Sequence, residues 1–177
     1  AAGLAISRVM LGMHYLADVL VGAALGIVLG LPVAAPLVER VAGRTYEFSE
    51  FLVDVLKVED VGASYRGRVT YHDSCHLLRG IRVQEQPRRL LRKVAGLELV
   101  EMKNSDYCCG FGGAFAVKYP DISAAMVNDK VDHIVNSGAD TVVGCDTGCL
   151  LNIAGAASRR GLPIKTMHLA EILASRA

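Results

Sequence analysis

The sequence predicts a small α/β domain with a largely parallel sheet over residues 44–177, preceded by an N-terminal transmembrane-type helix within residues 1–43. Short β-type runs alternate with amphipathic helical patterns in residues 44–177, an order typical of a layered α/β fold. Residues 1–43 hold four charged side chains and a long apolar run, and the other 33 charged residues lie beyond them. Composition therefore divides the chain into two parts.

Length and charge exclude several classes of protein. The 177 residues have room for one domain, or for a small domain with an appendage. Because 19 basic residues face 18 acidic ones, the net charge is +1, which gives no general electrostatic reason to expect a nucleic-acid partner. The apolar fraction of 52% is too high for a disordered chain.

The apolar run is Val19–Val38, twenty residues without a charge. A helix rises about 1.5 Å per residue, so this run would cross a hydrocarbon core of roughly 30 Å. Its glycines recur every fourth residue, which favours close packing of another helix. A buried helix of a soluble core is the alternative. Arg40 and Arg44 follow the run, which favours a cytoplasmic body anchored at the cytoplasmic face of the inner membrane.

The first half of the body predicts two helices and two strands. A helix spans about Thr45–Leu56, with Thr45 as its cap. Arg68–Tyr71 has the pattern of a short strand. The next helix begins with Pro87 at its first position and is stopped by Gly96. Leu97–Met102 is the following strand candidate.

The second half predicts three more helices and two strands. The clearest helix is Asp121–Ser137, capped by Asp121 and stopped by Gly138. Thr141–Val143 has the pattern of a buried strand. The last three elements are a helix, a strand and a helix: Thr147–Arg160, Pro163–Met167 and Leu169–Ser175.

The five cysteines follow the predicted strands. Cys75 comes after the first strand, Cys108 and Cys109 come after the second, and Cys145 and Cys149 come after the third. Loops at the carboxyl ends of parallel strands meet at one edge of the sheet. We therefore expect three loops to bring five sulfur atoms to one side, next to a helix whose N-terminal dipole favours thiolates.

The vicinal pair lies in the glycine-rich string CCGFGGAF. Gly110, Gly112 and Gly113 let the backbone approach a bulky group and offer N–H donors to sulfur. Four or more thiolates suit zinc or iron–sulfur chemistry. An odd number of cysteines fits a disulfide scaffold poorly. Thiol redox chemistry without a metal, and a purely structural role, remain the alternatives.

Two histidines, His72 and His76, flank Cys75. Either could ligate a metal or donate a hydrogen bond to sulfur. A helix-start cap or another satisfied polar contact is the more ordinary role for histidines at such positions.

Three strings, HDSCHLLRG, DYCCGFGGAFAVKYP and GCDTGCLLNIAG, resemble the cysteine-rich CCG domain. That domain occurs in iron–sulfur subunits of lactate- and glycolate-oxidising complexes, in anaerobic glycerol-3-phosphate dehydrogenase and in heterodisulfide reductase. The likeness is closest to (Fe-S)-binding proteins of the lactate-utilisation protein A type, and it covers about residues 44–177.

The resemblance implies an iron–sulfur cluster, of the 4Fe-4S type, with zinc as the alternative. Its cluster-binding residues would be Cys75, Cys108, Cys109, Cys145 and Cys149 with Gly110. The metal ligands among them would be Cys75, Cys108, Cys109 and Cys149. Cys145 departs from the family's usual Cys-x-x-Cys ending, where Asp146 stands, so either residue, or a group from a partner, could complete the ligand shell. The family usually carries two copies of this module, and this chain contains one.

The resemblance also implies a role. The chain would be an electron-transfer subunit, more an oxidoreductase component than a self-sufficient enzyme. It would relay electrons from oxidation of a 2-hydroxy acid, lactate first, to a quinone or another carrier. Its partners would be the other subunits of a lactate- or glycolate-oxidising complex, with membrane association through residues 1–43.

The string SRVMLGMHYLADVLVG resembles the last signature of the type 2 phosphatidic acid phosphatases, over about residues 5–38. By that resemblance Arg8 would bind phosphate, His14 would be the nucleophile and Asp18 would orient it. The family's two earlier signatures are not present in this sequence, so we expect no phosphatase activity from the chain.

Overall fold

The computed structural model describes residues 24–28, 30 and 34–176. The chain divides into two compact units, residues 1–46 and 47–177. In the first unit, residues 24–28, 30 and 34–42 are helical. Residues 19–23, 29 and 31–33 of the predicted membrane span lie outside the described residues. Among the residues that are described, no helix is both long enough and apolar enough to cross a bilayer, so the membrane-helix prediction gains no support.

The second unit alternates strands and helices. In chain order its elements are α1 (Phe48–Glu50) with a following π-helical turn (Phe51–Val55), β1 (Ser64–Tyr71), a second π-helical turn (His76–Ile81), α2 (Glu85–Leu91), β2 (Ala95–Leu99), α3 (Ala114–Lys118), α4 (Pro120–Ser137), β3 (Thr141–Gly144), α5 (Thr147–Arg159), β4 (Lys165–His168) and α6 (Leu169–Ala174).

The four strands form one sheet in the order β2-β1-β3-β4, and every neighbouring pair is parallel. Val69 of β1 pairs with Leu99 on one side and with Thr141 on the other. The predicted α/β fold class with a parallel sheet is therefore confirmed. Each parallel connection returns the chain to the same edge, and so the carboxyl ends of the strands lie together.

Side chains alternate along each strand, so each strand contributes residues to both faces of the sheet. Both faces are covered by helices. Val69, Tyr71 and Val143 face a core formed with α2 and α6. Val142 faces a second core formed with α4 and α5. The unit therefore has three layers, and a residue's position in the alternation determines which core it joins.

Several predicted boundaries differ from the structure. Glu47, rather than Thr45, caps the first helix through a capping box with Glu50, and the Thr45 hydroxyl donates to the Val41 carbonyl instead. Asp121 is not a cap either, because Pro120 begins α4 one residue earlier. Gly138 ends that helix as predicted, in the left-handed conformation.

Candidate metal centre

The strand order places a crevice between β1 and β3. From β1 the chain continues to β2 on one side of it, whereas from β3 it continues to β4 on the other side. Adjacent parallel strands whose connections leave in opposite directions open a crevice at their carboxyl ends, the usual ligand site of open α/β sheets. Cys75 follows β1 and Cys149 follows β3, so both sequence-predicted ligands flank this crevice.

One pocket gathers four of the five cysteines. Cys75, Cys108, Cys109 and Cys149 all line it, together with His76, Phe111 and Asp146. The cysteines come from three segments that are distant in the chain: Cys75 and the pair Cys108–Cys109 lie in loops, and Cys149 lies in the first turn of α5. The expectation that strand-end loops bring sulfur atoms together is met for these four residues. All five cysteines are free thiols.

A buried trio lies beside this pocket: His72, Cys109 and Cys149. The Sγ atoms of the two cysteines and a ring nitrogen of His72 all lie within 4.8 Å of one another. The three residues are 1%, 2% and 6% exposed. Neither ring nitrogen of His72 makes a hydrogen bond of normal geometry in the described part of the chain, and its polar neighbour is the Cys109 thiol, whose pKa it lowers. A buried polar atom without a well-formed hydrogen bond costs about 1–3 kcal/mol, so the trio is a candidate set of metal ligands.

The two buried thiols shift each other's pKa in opposite directions. The hydrogen bond from Cys149 lowers the pKa of Cys109 to about 4, with further lowering by His72 and by the Phe111 N–H. The same bond, with burial, raises the pKa of Cys149 well above its ordinary value. A lowered pKa at Cys109 favours its thiolate, which is the form that binds metals.

The loop of the vicinal pair is fixed by the two helices behind it. The Asn152 side chain of α5 donates to the Cys109 carbonyl at 2.8 Å, and the Ser123 hydroxyl of α4 donates to the Gly110 carbonyl at 2.8 Å. The Gly110 N–H points at the Cys108 Sγ, 3.3 Å away. Burial raises the pKa of the Cys108 thiol, and this N–H acts in the opposite direction.

Gly110 is required at its position for two reasons. Its φ is +80°, in the region that favours glycine. A Cβ there would lie 2.6 Å from the Ser123 carbonyl oxygen. The sequence prediction that this glycine lets the backbone approach closely therefore has a structural basis, although the close neighbour is α4 rather than a cofactor.

Asp146 acts as a cap for α5. Its Oδ1 accepts the Cys149 N–H at 3.1 Å, and its Oδ2 pairs with His76 Nδ1 at 3.1 Å. Burial would raise the pKa of this carboxyl, but the Cys149 N–H and His76 outweigh burial and keep the pKa below its ordinary value. Both oxygens are thus engaged, and the cap holds Cys149 in the first turn of α5.

Cys145 lies apart from the other four thiols. The Tyr71 hydroxyl donates to its Sγ at 3.4 Å, and Cys145 packs against the core formed with α2 and α6. Burial raises the pKa of Cys145 to about 12. The alternation of β3 continues past its end, so Cys145 follows Val143 to this face while Cys149 joins the opposite core.

Comparison with known proteins agrees with this geometry. The family described as "CCG: Cysteine-rich domain" matches residues 69–154, the segment that contains His72 and all five cysteines. Residues 69–154 are therefore similar to this family. The match spans β1, the vicinal pair and α5, and so covers every loop of the pocket.

The chain is also similar to curated proteins named Lactate utilization protein A. Lactate utilization protein A of Geobacillus kaustophilus (strain HTA426) is 56% identical over 138 residues, 78% of this chain and 58% of the relative. The protein of the same name from Lysinibacillus sphaericus (strain C3-41) is 51% identical over 147 residues, 83% of this chain and 64% of the relative. The chain therefore spans about three fifths of the length of these relatives.

Residues 1–40 match a different family, the PAP2 superfamily. The phosphatase-type residues predicted there, Arg8, His14 and Asp18, lie outside the described residues.

A buried ion pair joins the loop that follows β1 to α2. Arg88 of α2 donates to both oxygens of Asp73, at 2.8 and 2.7 Å, and also to Glu101 at 2.8 Å. The side chains of Asp73 and Arg88 are 0% and 6% exposed. Burial opposes the charge on Arg88, but these bonds outweigh it and raise its pKa. The pair ties the loop between His72 and Cys75 to α2.

The donor set of the cysteine-rich domain fits a metal centre. Thiolates and imidazole are the ligands that zinc and iron–sulfur clusters take in proteins. The His72 ring without a hydrogen bond of normal geometry and the lowered pKa of Cys109 are features that a bound metal would account for. The sequence allowed His72 as a metal ligand or as a donor to sulfur, with a cap or a satisfied polar contact as the more ordinary role. The structure does not show that ordinary role, because neither ring nitrogen makes a well-formed hydrogen bond among the described residues. Strand alternation could have predicted this position, since His72 follows Tyr71 and therefore faces the opposite side of the sheet.

Proposed function

We propose that residues 44–177 form an iron–sulfur electron-transfer module of a complex that oxidises a 2-hydroxy acid, lactate first and glycolate second. The observation that carries this proposal is the pocket lined by Cys75, Cys108, Cys109 and Cys149. The relatives named Lactate utilization protein A support the choice of substrate class. Because the chain spans three fifths of those relatives, the activity of the whole protein belongs to this proposal.

Cys75, Cys108, Cys109 and Cys149 would hold the cluster, which we propose to be of the 4Fe-4S type. The cluster would accept and release single electrons. The residues of the chain supply its environment. The Gly110 N–H points at the Cys108 sulfur, and the N-terminal turn of α5 places its partial positive charge beside Cys149. Both features stabilise negative charge on sulfur. Cys145 is left out of this set because Tyr71 holds it in the opposite core.

Oxidation of the hydroxy acid itself would occur in a partner subunit. Electrons would pass through this module to a quinone or another carrier. The rim of the pocket offers apolar surface for such a partner, since Phe111 and Leu151 line the pocket and remain 38% and 70% exposed.

Iron and acid-labile sulfide in the anaerobically purified full chain test this proposal. We expect both, together with broad visible absorbance that bleaches on reduction with dithionite. Cys109→Ser should reduce the iron content by more than half, and Cys145→Ser should leave it unchanged. A full chain that takes up no iron after reconstitution with ferrous iron and sulfide contradicts the proposal.

A zinc-binding interaction module is the second candidate. The specific observation in its favour is that His72, Cys109 and Cys149 already place three ligand atoms within 4.8 Å of one another. One tetrahedral zinc ion, with bonds of about 2.3 Å to sulfur and about 2.0 Å to nitrogen, would span such a group. One zinc per chain without iron would favour this candidate.

For residues 1–43 we propose a segment of the phosphatase-type family without activity in this chain. Its support is the PAP2 match at residues 1–40 and the single family signature that the sequence contains. Hydrolysis of a lipid phosphate that disappears in His14→Ala contradicts this proposal.

A further inference from the structure

The His72 imidazole lies beside the buried sulfur pair without a polar partner. The residue is 1% exposed, and both of its ring nitrogens lack a hydrogen-bond partner among residues 34–176. Buried side-chain nitrogens are nearly always satisfied in folded proteins. A ring nitrogen lies within 4.8 Å of the Sγ atoms of Cys109 and Cys149, so a group that satisfied it would also be close to both thiols.

The backbone on either side holds the ring in place. The His72 N–H donates to the Val143 carbonyl at 2.8 Å, which extends the pairing of β1 with β3 by one residue. The next residue, Asp73, is locked by two hydrogen bonds from Arg88. The imidazole is therefore pre-positioned by the sheet, as ligands of tight metal sites are.

The nearby carboxylates are committed elsewhere. Asp73 accepts from Arg88 through both oxygens, and Asp146 accepts the Cys149 N–H and pairs with His76. Neither is a hydrogen-bond partner for His72. By contrast, His76, the other histidine of this region, has its partner in Asp146 and is exposed to solvent. The two histidines beside Cys75 thus differ in environment.

We infer that the imidazole of His72 is a direct nitrogen ligand of the metal centre, together with Cys109 and Cys149. This inference rests on the proposed function and deepens it, because His72 takes the place of one of the four proposed thiolate ligands and makes the centre a mixed thiolate–imidazole site. The lone pair of a neutral ring nitrogen binds the metal, as it does in zinc and Rieske-type iron–sulfur sites. The ring thereby gains the partner that the protein does not supply.

A neutral ligand also has a redox consequence. Imidazole in place of a thiolate lowers the negative charge around iron and raises its reduction potential. His72→Cys should therefore retain iron and shift the midpoint potential to a more negative value. An unchanged potential in an iron-loaded His72→Cys variant contradicts direct ligation.

Nitrogen hyperfine spectroscopy tests the inference on the full chain. The protein is labelled with ¹⁵N-histidine, reconstituted anaerobically with ferrous iron and sulfide, and measured by pulsed electron paramagnetic resonance. We expect a strong coupling typical of a directly bound nitrogen, lost in His72→Ala and retained in the matched variant His133→Gln. His133 bonds to Asn104, away from the sulfur pocket.

The outcomes separate this inference from the proposed function. Iron and sulfide without a strongly coupled nitrogen overturn the His72 ligand and leave the electron-transfer proposal intact. A strong coupling that persists in His72→Ala overturns it as well.

A chain that binds zinc but no iron overturns the proposed function. X-ray absorption of the zinc form then decides: a nitrogen neighbour lost in His72→Ala supports His72 as ligand, and an all-sulfur shell contradicts it. If His72→Ala does not fold, the labelled His72→Cys variant gives the same comparison.

Discussion

The Tyr71 hydroxyl donates a hydrogen bond to the Cys145 Sγ at 3.4 Å, in the core on one face of the sheet, whereas Cys109 and Cys149 belong to the core on the other face. Burial and the nearby Cys145 raise the pKa of Tyr71 above its ordinary value, so the phenol remains protonated and can donate. We therefore expect this thiol to stabilise the core and not to bind the metal.

The two kinds of cysteine should respond differently to substitution. Cys145→Ala leaves the buried Tyr71 hydroxyl without its acceptor, so we expect a loss of about 1–3 kcal/mol in the free energy of unfolding, with iron content unchanged. Cys109→Ala should instead remove most of the iron. Urea denaturation of the metal-free chain and iron analysis of the reconstituted chain measure the two effects. Loss of iron in Cys145→Ala would make that thiol a ligand.

The buried ion pair of Arg88 and Asp73 should contribute more to the free energy of unfolding than an exposed pair does. Arg88→Met leaves the Asp73 carboxylate buried without its cation, so we expect the free energy of unfolding to fall by about 3–5 kcal/mol. The matched control is Arg89→Met, whose exposed pair with Glu59 should contribute about 0–1 kcal/mol. Urea denaturation measures both losses. Equal losses in the two variants would contradict the prediction that the buried pair contributes more.

Lys130 should make stability depend on pH in the alkaline range. Burial lowers its pKa to about 8, from an ordinary value of 10.5, although it donates to the Asn104 and Ser105 carbonyls. Below pH 8 the folded chain bears the full cost of a buried ammonium. Between about 8 and 10.5 the unfolded chain binds more protons than the folded chain, so the free energy of unfolding rises with pH, by up to roughly 3 kcal/mol.

Lys130→Met removes the titrating group and should abolish this rise. The measurement is urea denaturation of the metal-free chain at several pH values between 7 and about 10.5, with the difference between wild type and variant as the readout. A difference that stays constant across this range contradicts the lowered pKa of Lys130.

Asp146 should act as a helix cap and not as a ligand. Asp146→Asn keeps an oxygen for the Cys149 N–H and should leave both stability and iron content near wild type. Asp146→Ala removes the cap of α5 and should cost about 1 kcal/mol in the free energy of unfolding. If Asp146→Asn keeps its stability in thermal denaturation but binds markedly less iron, the carboxylate is a ligand after all.

Gly110 should be the least replaceable glycine of the cysteine loop. Gly110→Ala adds a Cβ 2.6 Å from the Ser123 carbonyl at a positive φ, so Cys108 and Cys109 must move and iron binding should fall. Gly161→Ala is the matched control, since it has a φ of +66° with open space around it. It should cost about 1 kcal/mol of backbone strain and leave iron binding unchanged. Equal iron content in the two variants would contradict the role assigned to the Gly110 contact.

Much of the fold was predictable because its signals are local. The apolar runs of β1 and β3 and the glycine that ends α4 act within a few residues, and these elements appear where the sequence places them. The errors lie at the bounds of elements. β2 spans Ala95–Leu99 where the sequence predicts Leu97–Met102, and at helix starts several polar residues compete. Glu47 displaces Thr45 as a cap because Glu50 completes a capping box with it.

The sequence by itself determined the α/β class, the placement of the cysteines after successive strands and their capacity for soft-metal chemistry. Only the tertiary structure decided which thiols face one another. It turned Cys145 toward Tyr71, left His72 without a polar partner beside Cys109 and Cys149, and engaged both oxygens of Asp146. The physical reason is that side chains alternate across a sheet buried on both faces, so adjacent residues reach different cores. Which core contains the ligands depends on how the strands are ordered, and that order is set by packing between residues far apart in the chain.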